Sequence, residues 1–347
     1  MSNYGALGIL FHPEAYHRYY NNCTVYDVDA IPLQQRQHPL LGTVYIILFL
    51  IYETSLLLCL PSIWKRMRES SCYKIMFYMT ILDITALPVI ALGSGVLMFL
   101  GLVFCSNPTL LYAMALPAPI FWYCETVAAV LLAFNRCLDV ISFNWSDKLF
   151  GGRRTWIWMI LPTIYGIERL IFAKTVIFSG VIGCWHLNPH VGYLADNENV
   201  FDSQELAQHD LVTIVCLLGL YSIFCLRVMC ETEKSSKIND WKTNGSKKVE
   251  RRSLFLQVLL ISINHLATAA LYTLMIFVPT CATPWLASIA QLVWISAHGL
   301  PGVVYLTMNN TIRKDVKAML GTDFHRWKVS NKTSAASNSF TSSLHKY

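Results

Sequence analysis

Charged residues are rare within the long apolar stretches of this chain of 347 residues. Each one is a candidate for function, because a charge is costly to place in the hydrocarbon core of a bilayer. Asp83 lies near the middle of one stretch, and Glu125 lies in another, eleven residues or about three helical turns before Arg136. If both carboxyls face the interior of a bundle, they could share a proton or hold a cation. Alternatively, they form a neutral hydrogen-bonded pair that only fixes packing.

Sequence motifs of enzymes are absent from the chain: it has no H-E-x-x-H, no G-x-S-x-G and no phosphate-binding loop of the Walker type. His265 and His298 lie in different apolar stretches and have no partners at the spacing of metal ligands. We therefore interpret both as hydrogen-bonded structural residues. The sequence predicts no catalytic residues, no bound metal and no cofactor.

The composition indicates a membrane protein. Hydrophobic residues make up 54% of the chain and charged residues only 14%, with a mean hydropathy of +0.44. Soluble domains carry about 25% charged residues, and a soluble chain could not bury so much apolar surface. The net charge of +6 comes from loops on one side of the stretches, which favours a membrane rather than nucleic acid as the partner.

Seven apolar stretches are long enough to cross a membrane as helices, at about 20 residues or more each. They run approximately over Leu40–Ile63, Ile75–Leu100, Thr109–Phe134, Trp156–Phe178, Asp210–Met229, Ser253–Val278 and Pro284–Met308. A β-barrel would need alternating segments of about ten residues, which the sequence lacks. We predict an all-α membrane protein, a bundle of seven transmembrane helices followed by a short amphipathic helix 8.

The distribution of basic residues predicts the orientation. The loop between the fifth and sixth stretches carries Lys234, Lys237, Lys242, Lys247, Lys248, Arg251 and Arg252. The loop after the fourth stretch, on the opposite side, is acidic. Basic loops stay in the cytoplasm, so the N-terminus is predicted to be extracellular. Asn22, in the acceptor pattern Asn-Cys-Thr, would then be glycosylated.

Four segments follow from these patterns. Residues 1–39 form an extracellular N-terminus, 40–308 the bundle, 309–320 helix 8, and 321–347 a disordered cytoplasmic tail rich in Ser, Asn and Thr. In helix 8 the apolar side chains share one face, as in a helix that lies on the membrane surface. Those side chains are Ile312, Val316, Met319 and Leu320.

Four of the eleven cysteines, Cys23, Cys105, Cys184 and Cys281, are predicted on the outer side. Four cysteines allow three pairings, and the sequence does not choose among them. We favour Cys105–Cys184, which would join the outer end of the third helix to the second outer loop. The alternative is that they are free buried thiols.

Several motifs resemble those of known receptors. Ala133–Asp139 resembles the Asp-Arg-Tyr region of rhodopsin-like G-protein-coupled receptors, with Arg136 in the arginine place. Pro301–Asn309 resembles their Asn-Pro-x-x-Tyr segment, which precedes helix 8. Finer matches are Ser71–Phe77, Leu82–Ile84, Leu161–Gly166 and Ser296–Gly299. Together, over roughly residues 20–320, the chain resembles the class T serpentine receptors, a nematode family regarded as chemoreceptors.

The chain also departs from the rhodopsin-like pattern. Asn135 replaces the acidic neighbour of the arginine, and Asp139 could substitute for it as a partner one turn later. Pro301 and Tyr305 are separated by three residues rather than two, and no Asn precedes the proline. Coupling to a G protein is therefore implied by the resemblance alone.

The resemblance implies a small-molecule receptor that signals through a heterotrimeric G protein, in the plasma membrane of sensory-neuron cilia. A small apolar odorant or pheromone would bind among Trp122, Tyr123, Tyr272, Met275, Gln291 and Trp294. The switch would comprise Asp83, Glu125, Asn135, Arg136, Asp139, Pro301 and Tyr305. The aromatic residues could equally fill helix interfaces, and the basic loops could contact anionic lipid instead of a protein. The oligomeric state, a dimer included, stays open.

Two other functions are considered. A ligand-gated channel built of seven-helix subunits would have the opposite topology, so the Asn22 site offers a check. A transporter would show internal repeats and interrupted helices. The sequence shows no repeat, although Pro117 and Pro119 are expected to break the third helix locally.

Overall fold

A computed structural model describes residues 6–7, 11, 23, 27–68, 70–193, 201, 203–236, 241–278, 281 and 283–321. Its helices are α1 Pro39–Arg66, α2 Ser71–Leu87, α3 Ser94–Leu100, α4 Pro108–Ala115, α5 Ala118–Ile141, α6 Phe143–Phe150, α7 Arg154–Phe172, α8 Gln204–Ser236, α9 Trp241–Phe277, α10 Pro284–Met308 and α11 Asn310–Leu320. Short helical turns precede α1 and α4. The glycosylation predicted at Asn22 and nearly all of the predicted tail lie outside the described residues.

Six helical segments of the described chain are long and apolar enough to cross a membrane. They are α1, α2 with α3, α4 with α5, α8, α9 and α10. The remaining predicted crossing is α7, which has 19 residues, carries Arg154, Glu168 and Arg169 near its ends, and packs along α5. The protein is a mostly helical membrane protein, as the sequence predicted.

Proline explains where two of the long segments change geometry. The third predicted helix is divided into α4 and α5 at Leu116–Pro117, as expected, because proline has no N–H and clashes with the preceding turn. Between α2 and α3 the helix continues as a π-helical turn, Pro88–Gly93. Both changes lie in the half of the bundle near α4, where the cavity described below is found.

A small β-hairpin lies where the fourth predicted helix should have continued. Helix α7 ends at Phe172, and Ile177–Ser179 (β1) pairs antiparallel with Cys184–His186 (β2). The prediction of a helix to Phe178 was wrong, because this apolar segment is buried against protein and hydropathy alone cannot distinguish a buried strand from a membrane helix. Trp185 Nε1 donates to Ser94 Oγ at 2.7 Å, and Tyr45 Oη donates to the Gly183 carbonyl at 2.9 Å.

The hairpin and α11 mark opposite ends of the bundle, which we call the hairpin end and the α11 end. At the α11 end, Asp315 accepts hydrogen bonds from Ser62 at 2.7 Å and from Arg66 at 3.2 Å. Ile312 and Val316 are buried against the bundle, whereas Leu320 is 69% exposed. These contacts attach α11 to the end of α1.

Glycines allow close approach of the helices, as is common within membranes. A Cβ on Gly299 of α10 would lie 2.0 Å from the ring of Tyr52 in α1, and one on Gly302 would lie 2.8 Å from the backbone nitrogen of Leu56. On α7, a Cβ on Gly166 would lie 2.2 Å from Cys124 Sγ of α5. These glycines set the spacing of α10 against α1 and of α7 against α5.

The predicted disulfide has a different partner in the structure. Cys105 bonds to Cys23, 82 residues earlier, and links the N-terminal segment to the turn before α4. Cys184 is a free, fully buried thiol in β2, opposite Ser179 of β1. The predicted Cys105–Cys184 pairing was wrong, because strand pairing buries Cys184 in the hairpin core instead of leaving it in an open loop.

Candidate functional site

A cavity at the hairpin end contains about 460 Å³ of space free of atoms, part of it open to the outside. Its walls come from α5, α8, α9, α10 and the segment after α7. The lining residues are Ala118, Pro119, Trp122, Tyr123, Lys174, Val176, Leu206, Asp210, Thr268, Tyr272 and Trp294. Four of the six residues predicted to bind ligand, the aromatic ones, therefore surround one cavity.

Local structure explains how the aromatic residues meet. Trp122 and Tyr123 lie in the first turns of α5, directly after the break at Pro117. Tyr272 of α9 and Trp294 of α10 pack edge to face, with ring centroids 5.8 Å apart. Three helices thus place aromatic rings around a single space.

The other two predicted ligand-binding residues, Met275 and Gln291, do not line the cavity. Met275 is buried against the hairpin residues Ile182 and Cys184. Gln291 Nε2 donates to the Ile90 carbonyl at 2.8 Å, and Gln291 Oε1 accepts from Tyr272 Oη at 3.3 Å. Both residues support the walls of the cavity without lining it.

Asp210 of α8 also lines the cavity, although sequence reasoning did not select it. Its carboxylate accepts from Trp122 Nε1 at 3.0 Å and from Thr273 Oγ1 at 3.5 Å. We placed Asp210 at the outer boundary of the fifth helix, but α8 begins at Gln204, which brings the carboxyl inside the bundle. The signal in the sequence that could have identified Asp210 was a charged residue at the edge of an apolar stretch.

A second polar network stands behind Tyr123. Thr126 Oγ1 and His209 Nε2 are 2.8 Å apart, and Tyr165 Oη and His209 Nδ1 are 3.0 Å apart. The ring of Tyr123 packs on that of His209, with centroids 4.5 Å apart. Both nitrogens of this buried imidazole are hydrogen-bonded, so the network holds the wall in place.

The segment between α7 and β1 closes one side of the cavity with Lys174 and Val176. Thr175 Oγ1 donates to the Ala115 carbonyl at 2.6 Å and ties this segment to the end of α4. In β2, burial lowers the pKa of His186 to about 4, so its imidazole is neutral at physiological pH. The segment between α7 and β1 therefore forms one wall of the cavity.

Beneath the cavity lies a buried group of ionisable residues from four helices. Ligand atoms of Asp83, Glu125 and His298 all lie within 4.8 Å of one another. His298 Nδ1 and Asp83 Oδ1 are 3.0 Å apart, and His265 Nε2 and Glu125 Oε1 are 3.6 Å apart. All four side chains are at most 1% exposed. We call these four residues the buried cluster.

The cluster adjoins the cavity through two tryptophans. The ring of Trp122 stacks on that of His265, with centroids 6.3 Å apart and an interplanar angle of 15°. The ring of Trp294 meets that of His298 edge to face at 6.4 Å. Because both tryptophans also line the cavity, a molecule bound there would touch residues that contact the cluster.

Several cluster atoms lack hydrogen-bond partners among the described residues. They are both carboxyl oxygens of Glu125, Asp83 Oδ2, and Nε2 of His265 and of His298. Carboxylate oxygens and imidazole nitrogens can bind protons or metal ions. Both histidines are hydrogen-bonded, as expected, with His265 Nδ1 2.9 Å from the Ile261 carbonyl and His298 Nδ1 3.0 Å from Asp83 Oδ1. Their carboxyl neighbours were not expected, because these come from other helices and no spacing along one helix reveals them.

Arg136 lies at the α11 end of α5, where its Nη1 donates to Asp139 Oδ2 at 3.1 Å, the contact expected one turn away. Asp139 also accepts a hydrogen bond from Ser146 of α6. Asn135 Nδ2 donates to Ser71 Oγ of α2 at 3.1 Å. Arg136 is therefore held by its own helix and, through Asp139, by α6.

Tyr305 and Pro301 of α10 complete the predicted switch residues. Pro301 is buried inside α10 without ending it. Tyr305 is 2% exposed, and its hydroxyl has no hydrogen-bond partner in the described part of the chain. Tyr305 follows His298 by seven residues, or about two helical turns, on α10. It therefore lies on the α11 side of the buried cluster.

A helical membrane protein with an aromatic cavity at one end of the bundle and a paired arginine at the other is compatible with the class of seven-helix membrane receptors. The sequence matches the family "Serpentine type 7TM GPCR chemoreceptor Srt" over residues 10–329, and the chain belongs to this family. It is similar to "Serpentine receptor class T-55" of Caenorhabditis elegans, with 23% identity over 267 residues, which are 75% of this chain and 70% of that protein. The family is one of chemoreceptors and not of enzymes.

Proposed function

We propose that this protein is a chemoreceptor that binds a small odorant or pheromone in the cavity and signals through a heterotrimeric G protein. The observation that carries the proposal is the meeting of Trp122, Tyr123, Tyr272 and Trp294 around one space. Aromatic walls with few polar groups suit a compact and mainly apolar ligand. The family membership supports a receptor over a channel or a transporter.

The polar features of the cavity narrow the ligand further. The Asp210 carboxylate accepts hydrogen bonds from Trp122 and Thr273, and its remaining lone pairs would accept a further bond from a ligand hydroxyl. Trp294 Nε1, in contrast, has no hydrogen-bond acceptor in the described structure. A carbonyl, ether or hydroxyl oxygen on an apolar body would accept from this indole, and we propose such a ligand.

Signal transfer would follow the contacts between the cavity and the α11 end. A ligand that binds one conformation better shifts the equilibrium towards it. Contact with Trp122 and Trp294 would alter the packing of His265 and His298, then of Tyr305, and finally the pairing of Arg136 with Asp139. Released from Asp139, Arg136 would bind the α subunit of the G protein, while the buried Asn135 would hold α5 to Ser71 of α2.

The placement in the membrane is part of this proposal. The excess of basic residues supports a cytoplasmic α11 end and an extracellular hairpin end, with residues 1–39 outside, 40–308 in the bundle, 309–320 on the inner surface and 321–347 inside. The plasma membrane of sensory cilia is the site where such a receptor would meet its ligand. A dimer is compatible with this arrangement.

The test is expression with an N-terminal epitope and a sensor of G-protein dissociation. We expect antibody to label intact cells, and at least one member of an odorant panel to cause dissociation. Trp294→Ala should raise the ligand concentration needed at least tenfold, whereas Trp285→Ala, in the same helix but 66% exposed, should not. Labelling only after permeabilisation would contradict the orientation. Equal effects of the two variants would show that the ligand does not bind in this cavity.

A further inference from the structure

Glu125 is a buried carboxyl within a membrane-spanning helix. Its side chain is fully buried, and neither carboxyl oxygen has a hydrogen-bond partner in the described structure. A buried polar group without a partner is costly, and such groups commonly mark a bound water or ion. The same reasoning applies to Asp83 Oδ2 and to Nε2 of His298. These unpartnered atoms come from different helices and converge on one region.

The separations within the buried cluster suit a single ion. Zinc binds nitrogen and oxygen ligands at about 2.0–2.2 Å, so neighbouring ligand atoms of a tetrahedral site lie about 3.3–3.6 Å apart. Asp83 Oδ1 and His298 Nδ1 are 3.0 Å apart, and Glu125 Oε1 and His265 Nε2 are 3.6 Å apart. Ligand atoms of Asp83, Glu125 and His298 lie within 4.8 Å of one another, so movements of their side chains by up to about 1.5 Å would close them around one ion.

We propose that Asp83, Glu125 and His298 bind a divalent transition-metal ion, and that His265 supplies the fourth ligand. Two carboxylates would neutralise the two charges of the ion inside the membrane. Imidazole nitrogen favours zinc and its neighbours over calcium and magnesium, which prefer shells of oxygen only. The site depends neither on the proposed odorant nor on coupling to a G protein.

Residues around the two histidines restrict the orientation of the imidazole rings, as metal sites require. Ring orientation in metal sites is usually fixed by residues around the ligands. Here Trp122 stacks on His265, and Trp294 packs against His298. Both contacts restrict rotation of the imidazoles, so the four donors would be held close to the geometry that an ion needs.

Zinc binding to the purified full-length receptor in detergent tests the proposal. We expect one radioactive zinc ion per chain after equilibrium dialysis, and binding at least about 100-fold weaker in Glu125→Gln and His298→Asn. His209→Asn and Asp210→Asn are matched controls, because these groups are also buried but have hydrogen-bond partners. Absence of zinc in the wild-type protein, or equal loss in the controls, would overturn the site.

X-ray absorption of the zinc-loaded wild-type receptor provides a second measurement that does not depend on whether the variants fold. The expected spectrum has oxygen and nitrogen neighbours with imidazole scattering and no sulfur. Sulfur ligands would assign the ion to cysteines and overturn the proposal. So would complete displacement of zinc by sodium at physiological concentration. The experiment contains no odorant and no G protein, so its failure leaves the proposed receptor function intact.

Discussion

The surroundings of Asp210 and His209 differ from the buried cluster in the hydrogen bonds of their polar groups. Towards the hairpin end, Asp210 accepts hydrogen bonds from Trp122 and Thr273, and both nitrogens of His209 are bonded. In the buried cluster, neither carboxyl oxygen of Glu125 accepts a hydrogen bond from the described residues, and His265 Nε2 lies 3.6 Å from Oε1. The Tyr305 hydroxyl also lacks a hydrogen-bond partner among these residues. The first region is held by completed hydrogen bonds, and the second contains groups whose hydrogen bonds are incomplete.

This difference has a consequence for a two-state receptor. Rearranging the surroundings of Asp210 and His209 would break several buried hydrogen bonds, each with a net worth of about 0.5–1.5 kcal/mol. Rearranging the buried cluster breaks fewer, and new partners would lower the free energy of its unpaired groups. We therefore expect the surroundings of Asp210 to act as a stable frame for the cavity and the buried cluster to carry the conformational change.

The largest expected effect is on signalling. Arg136→Glu reverses the charge at the α11 end and should abolish the odorant response, a loss of at least about 100-fold, since a glutamate cannot replace the positively charged group that would bind the α subunit of the G protein. Surface labelling should be unchanged. Arg153→Glu, an exposed reversal at the same end, is the control. A response that survives Arg136→Glu would show that this arginine has no role in coupling.

The disulfide should have the next largest effect. Cys105→Ser opens a loop closed over 82 residues, which in the chain-entropy description lowers the free energy of unfolding by about 4 kcal/mol. Cys184→Ala removes a free thiol and should change it by less than about 1 kcal/mol. Chemical unfolding of the purified proteins measures both. Equal losses in the two variants would support the Cys105–Cys184 pairing favoured from the sequence.

Two buried carboxyls provide a direct test of the contrast. Asp210→Leu leaves the donors of Trp122 and Thr273 unpaired, which should lower the free energy of unfolding by about 2–4 kcal/mol. Glu125→Met removes a group without hydrogen bonds and should be neutral or stabilising when a chelator has removed metal ions. Equal destabilisation by both replacements would show that Glu125 has a stabilising hydrogen-bond partner.

The smallest expected effect compares two indoles of the cavity. Trp122→Phe removes the Nε1–H that Asp210 accepts, whereas Trp294→Phe removes an Nε1–H without a partner in the described chain. The change in ring size is the same, so the free energies of unfolding should differ by about 1 kcal/mol, with Trp122→Phe the less stable. Equal stabilities would mean that the bond to Asp210 contributes nothing.

Much of the helical architecture could be predicted from the sequence. The seventh helix has the predicted bounds, Pro284–Met308, and the break at Pro117 occurs where proline required it. The pairing of Arg136 with Asp139 was also expected, because residues three apart are neighbours on any helix. Hydropathy, proline geometry and helical spacing are local properties, and they need no knowledge of the surrounding helices.

Other features were decided only by the tertiary structure. The hairpin at Ile177–His186, the bond between Cys23 and Cys105, the position of Asp210 and the convergence of Glu125 with His298 all depend on contacts between distant segments. Helical spacing predicts which residues share a face, but not which face of another helix lies opposite. The packing of helices against one another, set by close contacts such as Gly299 on Tyr52, determines that choice.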